Sequence, residues 1–234
     1  KQTRVTVYHD IGMSSGYEHP HHTPEEIESA AMGHADELIR IGRRFDSRGW
    51  VLGTSGNFSI VLGRDPLRIA ITRSGTHKGE LTEDDVLTID GDAHVVGGRG
   101  TPSAETLLHV EIVKARGAGA VMHTHSTWST ILSGRHGEAG GLEISGYEML
   151  KGLDGVQTHE HREWLPILDN DQEMPRLAAQ VRRVLDDHPA CHGFLLRRHG
   201  LYTWGKTPAG ATRHVEILEF LLESFGREKE ASWR

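Results

Sequence analysis

A single cysteine, Cys191, stands in this chain of 234 residues, so no intrachain disulfide can staple the fold. A lone thiol fits a reducing cytoplasm, and it reads as a small buried hydrophobe rather than a nucleophile. Positive charge is in short supply: 26 Lys and Arg stand against 33 Asp and Glu, for a formal net charge of -7. No basic stripe is visible, which argues against a nucleic-acid surface. No apolar run approaches the roughly 20 residues that span a bilayer, and no secretory pattern is visible near Lys1. Pro/Ser-rich linkers, charge blocks and solenoid-type repeats are missing as well. One domain over 23–234, preceded by a loosely held arm over 1–22, is the expectation.

Histidine, in contrast, is plentiful, at 17 residues. Three His-x-His pairs occur, where roughly one would arise by chance at this abundance. His19/His21 lies in a Pro- and His-rich stretch, and His159/His161 lies in a polar segment that reads as loop. His123/His125 is different, because it ends the apolar run Gly117 to Met122 and precedes Ser126, a candidate helix cap. On a strand, a spacing of two points both imidazoles to one face, a natural start for a metal site.

Elements of both periods alternate along the chain. Thr23-Pro24-Glu25-Glu26 opens a helix whose apolar stripe runs to about Ser47. Short β-type runs follow at Phe58 to Leu62, Leu67 to Ile71, Val86 to Ile89 and His94 to Val96. Thr101-Pro102 or Ser103 opens a second helix that ends at Gly117, before the strand carrying His123. A short helix is expected over Ser126 to Leu132, then strands near Leu142 to Ile144 and Trp164 to Leu168, and a helix over Pro175 to Leu185. Paired runs Gly193 to Leu196 and Leu201 to Trp204 flank Arg197-Arg198-His199-Gly200, and a final helix reaches about Glu228. This alternation indicates a mixed sheet covered by helices.

His199, between two short strands, is a candidate third ligand; three nitrogens and no thiolate suit Zn2+, with Fe2+, Mn2+ or Co2+ as alternatives. Three clusters of small residues could hold an anion: Thr54-Ser55-Gly56-Asn57; Thr72-Arg73-Ser74-Gly75 with Lys78; and Thr101-Pro102-Ser103 at a helix start. Each alone is more often a turn or cap. Glu105, in a helical first turn, and Glu148, just after a strand, are both acid/base candidates. Composition and spacing do not choose between them.

In chain order, Gly53-Thr54-Ser55-Gly56-Asn57-Phe58-Ser59, Thr72-Arg73-Ser74-Gly75, Ser103-Ala104-Glu105, His123-Thr124-His125 and Arg198-His199-Gly200 resemble the class II aldolase/adducin family, over about 23–228. The family's sugar-phosphate aldolases carry Thr-Pro-Thr-Gly where this chain has Thr72-Arg73-Ser74-Gly75. Gly146 to Leu153, Pro166 to Asp171 and Gly193 to Gly205 are instead similar to a branch that dehydrates a 1-phosphorylated, methylthio-bearing 2-ketose in methionine salvage.

The resemblance implies an α/β fold, a three-layer helix/sheet/helix sandwich with a mixed, mostly antiparallel sheet. It implies homotetramers with sites near subunit interfaces. It implies one Zn2+ per subunit on His123, His125 and His199, with a small sugar phosphate as partner rather than nucleic acid or membrane. It assigns the acid/base role to Glu148, while Glu105 matches the base of the aldolase branch and stays a second candidate. Ser55, Gly56, Asn57, Ser74, Gly75, Lys78 and Ser103 are the expected substrate and phosphate contacts; the sequence does not say what reads the methylthio end, for which Met, Trp and Leu side chains near Trp128 or Leu132 are candidates. The competing expectations are an aldolase or 4-epimerase of the same family, a non-catalytic module as in adducin, and a zinc hydrolase. The non-catalytic reading predicts degraded ligands, whereas all three histidines and both carboxylates are present.

Overall fold

Strands that are apolar on both faces need helices on both sides. That condition holds along the central strands. In the computed structural model, which describes residues 24–232, β1 (Asn57–Arg64) and β2 (Leu67–Thr72) form a hairpin. Phe58, Ile60 and Ala70 pack to one side, whereas Ile69 and Ile71 pack to the other. β3 (Val86–Asp90) and the short β4 (Val95–Gly97) extend this half of the sheet. The expected arm over 1–22, the Thr23 cap and the His19/His21 pair lie outside the described residues.

The other half comprises β5 (Ala120–Thr124), β6 (Gly141–Ser145), β7 (Arg162–Leu168), β8 (Gly193–Leu196) and β9 (Gly200–Gly205). The nine strands lie in the order β4-β3-β2-β1-β5-β9-β8-β7-β6, antiparallel except between β7 and β8. α2 (Thr106–Arg116) and α4 (Met174–Asp187) share one apolar cluster with one face. α1 (Pro24–Asp46), α3 (Thr127–His136) and α5 (Pro208–Ser232) cover the other. The result is the expected three-layer helix/sheet/helix sandwich with a mixed, mostly antiparallel sheet. Among the described residues, no helix is long and apolar enough to cross a membrane.

One boundary departs from expectation. α2 begins at Thr106, not at Thr101 or Ser103, because the preceding segment is held as an extended strand partner. Pro102 bridges Arg73, and the Thr101 carbonyl accepts the Ser74 amide at 3.0 Å. Glu105 therefore occupies the cap position, outside the helix proper. Ser126 caps α3 as read, its hydroxyl accepting the Ser129 amide at 3.0 Å.

The pairing of β5 with β9 sets the functional geometry. The two strands run antiparallel, with His123 opposite Tyr202 and Thr124 opposite Leu201. Just before β9, Arg198 adopts the left-handed conformation (φ 55°) and turns the chain back from β8. A Cβ on Gly200 would lie 2.0 Å from the Thr124 carbonyl oxygen, so only glycine permits this approach. Gly200→Ala is expected to cost about 1–3 kcal/mol by overpacking, read as a lower urea midpoint, and to weaken metal retention along with it. Unchanged stability and metal content would show that the strands can move apart freely.

Candidate active site

His123 is fully buried inside β5, and His125 follows the strand, its amide donating to the Trp50 carbonyl at 2.7 Å. His199 sits in the β8–β9 turn, anchored by its amide to the Leu196 carbonyl at 3.0 Å. The three side chains meet through their Nε2 atoms. The separations are 2.8 Å between His123 and His125, 3.1 Å between His125 and His199, and 3.4 Å between His123 and His199.

The ring tautomers follow from the outer partners. His123 Nδ1 donates to the Leu201 carbonyl at 3.0 Å, and His199 Nδ1 faces Asn170 Oδ1 at 3.3 Å. Both leave Nε2 as a bare lone pair directed inward. Burial and the neighbouring imidazoles push His125 down to about 4 and His123 well below its ordinary range, so these rings are neutral. Neutral rings presenting lone pairs to one point repel, and a cation between them turns that repulsion into coordination. The donor set thus fits a divalent metal, with Zn2+ suited to three nitrogens and an open position.

Glu105 faces the same point, with Oε1 3.2 Å from His199 Nε2 and Oε2 3.6 Å from His123 Nε2. Asn57 Nδ2 donates to Glu105 Oε2 at 2.8 Å. The Asn57 amide is oriented in turn by His109, a residue the sequence reading did not single out. His109 is fully buried and pulled down to about 4 by burial, so it carries one ring proton. Asn57 Oδ1 must accept, so His109 Nε2 donates to it, and Nδ1 then accepts from the Ser59 hydroxyl at 2.8 Å. The available signal was periodicity: Asn57 and Ser59 share a strand face, and His109 stands four residues after Glu105 on α2. Tyr202 stacks on His123 with centroids 3.9 Å apart, and burial and the Glu105 charge push its phenol well above the ordinary range.

The three anion-type clusters converge on one cavity of about 120 Å³ beside His125 and Glu105. Ser55, Gly56, Asn57, Ser74, Gly75, Lys78 and Ser103 all line it, together with Thr54 and Arg73. The Ser55 hydroxyl is buried without a hydrogen-bond partner. Lys78 is buried too, its ammonium held by the Thr54 and Thr76 carbonyls at 3.2 and 2.7 Å, and burial lowers it to about 8. Gly56, at φ +72°, admits no side chain, since a Cβ would meet the His123 carbonyl at 2.8 Å. Arg73 is turned partly away by its ion pair with Asp85 at 2.6 Å.

Other expected residues stand apart. Glu148 opens a 3-10 turn over Glu148–Gly152 with a side chain 73% exposed, paired with Lys151 at 2.7 Å and His159 at 3.9 Å. The Lys151 ammonium lowers its carboxyl pKa, and Glu148 does not line the cavity beside His125. Leu132 is wholly buried in the core with Leu142 and Ile144, so it is not free to receive a methylthio group. Trp128 is half-buried on α3, where its ring fills the space left by Gly226 of α5. Glu219, also missed, is buried on α5 and accepts the Thr124 hydroxyl at 2.6 Å, and burial raises it to about 7.

A three-layer sandwich with three histidines and a carboxylate at the ends of its central strands, beside an anion-type cavity, defines a metallo-site of the class II aldolase type. The model for the class II aldolase and adducin N-terminal domain matches residues 36–225, and the chain belongs to this family. The methylthioribulose-1-phosphate dehydratase of Methylococcus capsulatus is 47% identical over 190 residues, covering 81% of this chain and 91% of that protein. That of Pseudomonas syringae pv. syringae is 46% identical over 188 residues, covering 80% and 91%. That of Sorangium cellulosum is 43% identical over 191 residues, covering 81% and 89%. Among solved structures, L-fuculose-1-phosphate aldolase from Thermus thermophilus superposes with a TM-score of 0.70 at 21% identity, covering 87% of this chain and 99% of that one. A sugar-phosphate aldolase from Thermotoga maritima gives 0.61 at 17%, covering 86% and 97%. These two likenesses carry the fold alone.

Lys78 yields a pH prediction. An ammonium lowered to about 8 binds an anion only while protonated. Sulfate, which does not titrate near neutrality, is therefore expected to bind progressively more weakly as pH rises through about 8. Titration calorimetry between pH 7 and 9.5 reads this dependence, and Lys78→Met should abolish it. A flat profile in the parent protein would remove Lys78 from the anion contacts.

Proposed function

We propose that this chain is a zinc-dependent hydro-lyase that dehydrates 5-methylthioribulose 1-phosphate to 2,3-diketo-5-methylthiopentyl 1-phosphate, a step of methionine salvage. The observation carrying this reading is the adjacency of the metal ligands, a carboxylate and the anion-type cavity, with all three loops on one rim. Relatives named methylthioribulose-1-phosphate dehydratase, 43–47% identical over about four-fifths of the chain, select the reaction from those such a site could run.

His123, His125 and His199 would hold a divalent metal, which would supply Lewis-acid polarisation of the ketose oxygens and so lower the C3–H pKa. The chain's own residues do the rest. The phosphate is gripped by the Ser55–Asn57 loop, Ser74, Gly75, Lys78 and Ser103, which holds C1 and orients C2 to C4 toward the histidines. Glu105, beside the ligand nitrogens and locked by Asn57, accepts the C3 proton. Loss of the C4 hydroxyl as water leaves an enol, which tautomerises to the diketone. Glu148 is the proposed acid for that hydroxyl. In one subunit it is exposed, so this role belongs to the assembled enzyme, a homotetramer with one Zn2+ per subunit. A cytoplasmic location completes the proposal, supported by a lone, buried, unpaired cysteine.

Glu105→Gln and Glu148→Gln separate the two roles. Each is expected to lower kcat by about 10²–10⁴-fold while the metal content stays at the parent value. Near-normal turnover in Glu148→Gln would assign both proton transfers to Glu105. Product analysis tests the reaction itself: formation of a triose phosphate or an epimer in place of the diketone would establish an aldolase or epimerase.

A further inference from the structure

A second group of ligating side chains lies at the opposite end of β8 from His199. His161 and Glu163 stand two residues apart at the start of β7 and share a face. His192 immediately precedes β8, which runs parallel to β7. Glu163 Oε2 lies 2.8 Å from His161 Nε2 and 2.9 Å from His192 Nδ1. Its other oxygen accepts the His192 amide at 2.8 Å, which fixes the carboxylate's rotation. All three ligand atoms fall within 4.8 Å of one another. The Glu163 side chain is only 1% exposed, so its charge has little access to water and needs a cation at hand.

His192 is held from its far side as well. Its Nε2 faces the Asp154 carbonyl at 2.8 Å and therefore carries a hydrogen. Nδ1 faces a carboxylate oxygen: in the protonated ring, which Glu163 favours, it donates a hydrogen there, and in the neutral ring it is a lone pair open to a metal ion. A divalent ion bound here takes the place of that second proton, joining the ring nitrogen to the carboxylate. A histidine that gives one N–H to a backbone carbonyl and turns the other nitrogen inward is arranged as metal-bound histidines are. Two imidazole nitrogens and one carboxylate oxygen form a donor set that suits zinc and similar borderline divalent ions. His161 and His192 also line a cavity of about 480 Å³, with Asp154 and His214, which gives water room to complete the coordination.

We propose that His161, Glu163 and His192 form a second divalent-metal site, distinct from the three-histidine site and tying the start of β7 to the start of β8. It does not depend on the proposed dehydratase reaction. The site joins the segment around Asp154 to the sheet edge through His192 and adds a staple to a chain that has no disulfide.

Metal-stripped full-length protein, dialysed to equilibrium against Zn2+ or Co2+, tests the proposal by stoichiometry. Two equivalents are expected in the parent chain. The variant carrying His123→Ala and His125→Ala should keep one. His161→Ala, at the half-exposed rim, should keep the three-histidine equivalent and weaken the other by at least about 10–100-fold, with His192→Gln as a second probe of the same ion. Replacing His19, His21 and His22 by Ala should leave both equivalents in place. A single equivalent in the parent, lost wholly with His123 and His125, overturns the proposal and makes His192 a doubly protonated ring. Two equivalents insensitive to both His161→Ala and His192→Gln, or one lost with His19, His21 and His22, overturn it equally.

Discussion

Three imidazole nitrogens aimed at one point are the constraint on which this molecule turns. Such an arrangement is unfavourable for neutral rings alone, so the fold must hold it by force from outside. The Leu201 carbonyl fixes the proton of His123, and Asn170 faces the outer nitrogen of His199. Both devices come from elements other than the one bearing the ligand. The pairing of β5 and β9 therefore does two jobs, completing the sheet and choosing the tautomer of a ligand. Gly200 makes that pairing possible at close range, and the left-handed Arg198 turns the chain so that His199 lies at the ends of β8 and β9. A fault in any of these shifts a nitrogen by a fraction of an ångström, which coordination does not tolerate.

The same logic extends to the carboxylate. Glu105 could adopt several rotamers at a helix cap, and an unconstrained side chain would fold toward the nearest amides. The run from Ser59 through His109 and Asn57 removes that freedom, since Ser59 and His109 fix the Asn57 amide, and Asn57 and the Ser103 hydroxyl both donate to Glu105 Oε2. The network is buried, and burial of a half-satisfied polar group costs more than the bond itself contributes. A fully matched chain is thus stable where a partial one would not be, and it delivers a directed carboxylate at the cavity. The late start of α2 belongs to this design. Had the helix begun at Thr101, Glu105 would lie within the first turn, bound to helical backbone geometry.

Much of this was legible along the chain. Strand positions follow from runs apolar on both faces, and His123/His125 declares itself by its place at the end of such a run. The small-residue clusters were readable as anion-type loops, but nothing local said that they share one cavity; that follows from the ends of β1 and β2 meeting the segment before α2. The partners that choose tautomers and rotamers were not legible, because each lies tens of residues from what it orients. His109 is 52 residues from Asn57, and Asn170 is 29 from His199. Glu148 marks a different limit: the role proposed for it rests on likeness to a family, whereas within one chain it is a solvated carboxylate beside Lys151.

The pair His159/His161 shows why spacing alone misleads in both directions. It shares its pattern with the ligand pair and lies in the loop its polarity predicts, with His159 exposed at the surface. Its alternation does not stop at His161, however, since Glu163 continues the same face into β7. What that face meets depends on β8 lying parallel beside it, the one parallel contact in the described sheet. A parallel neighbour brings the start of β8, and so His192, next to the start of β7; an antiparallel one would have brought the end of β8 and left Glu163 buried without a cation. The topology at this edge is thus what allows a buried carboxylate there, and the charge of that carboxylate in turn requires the cation that β8 delivers or helps to bind.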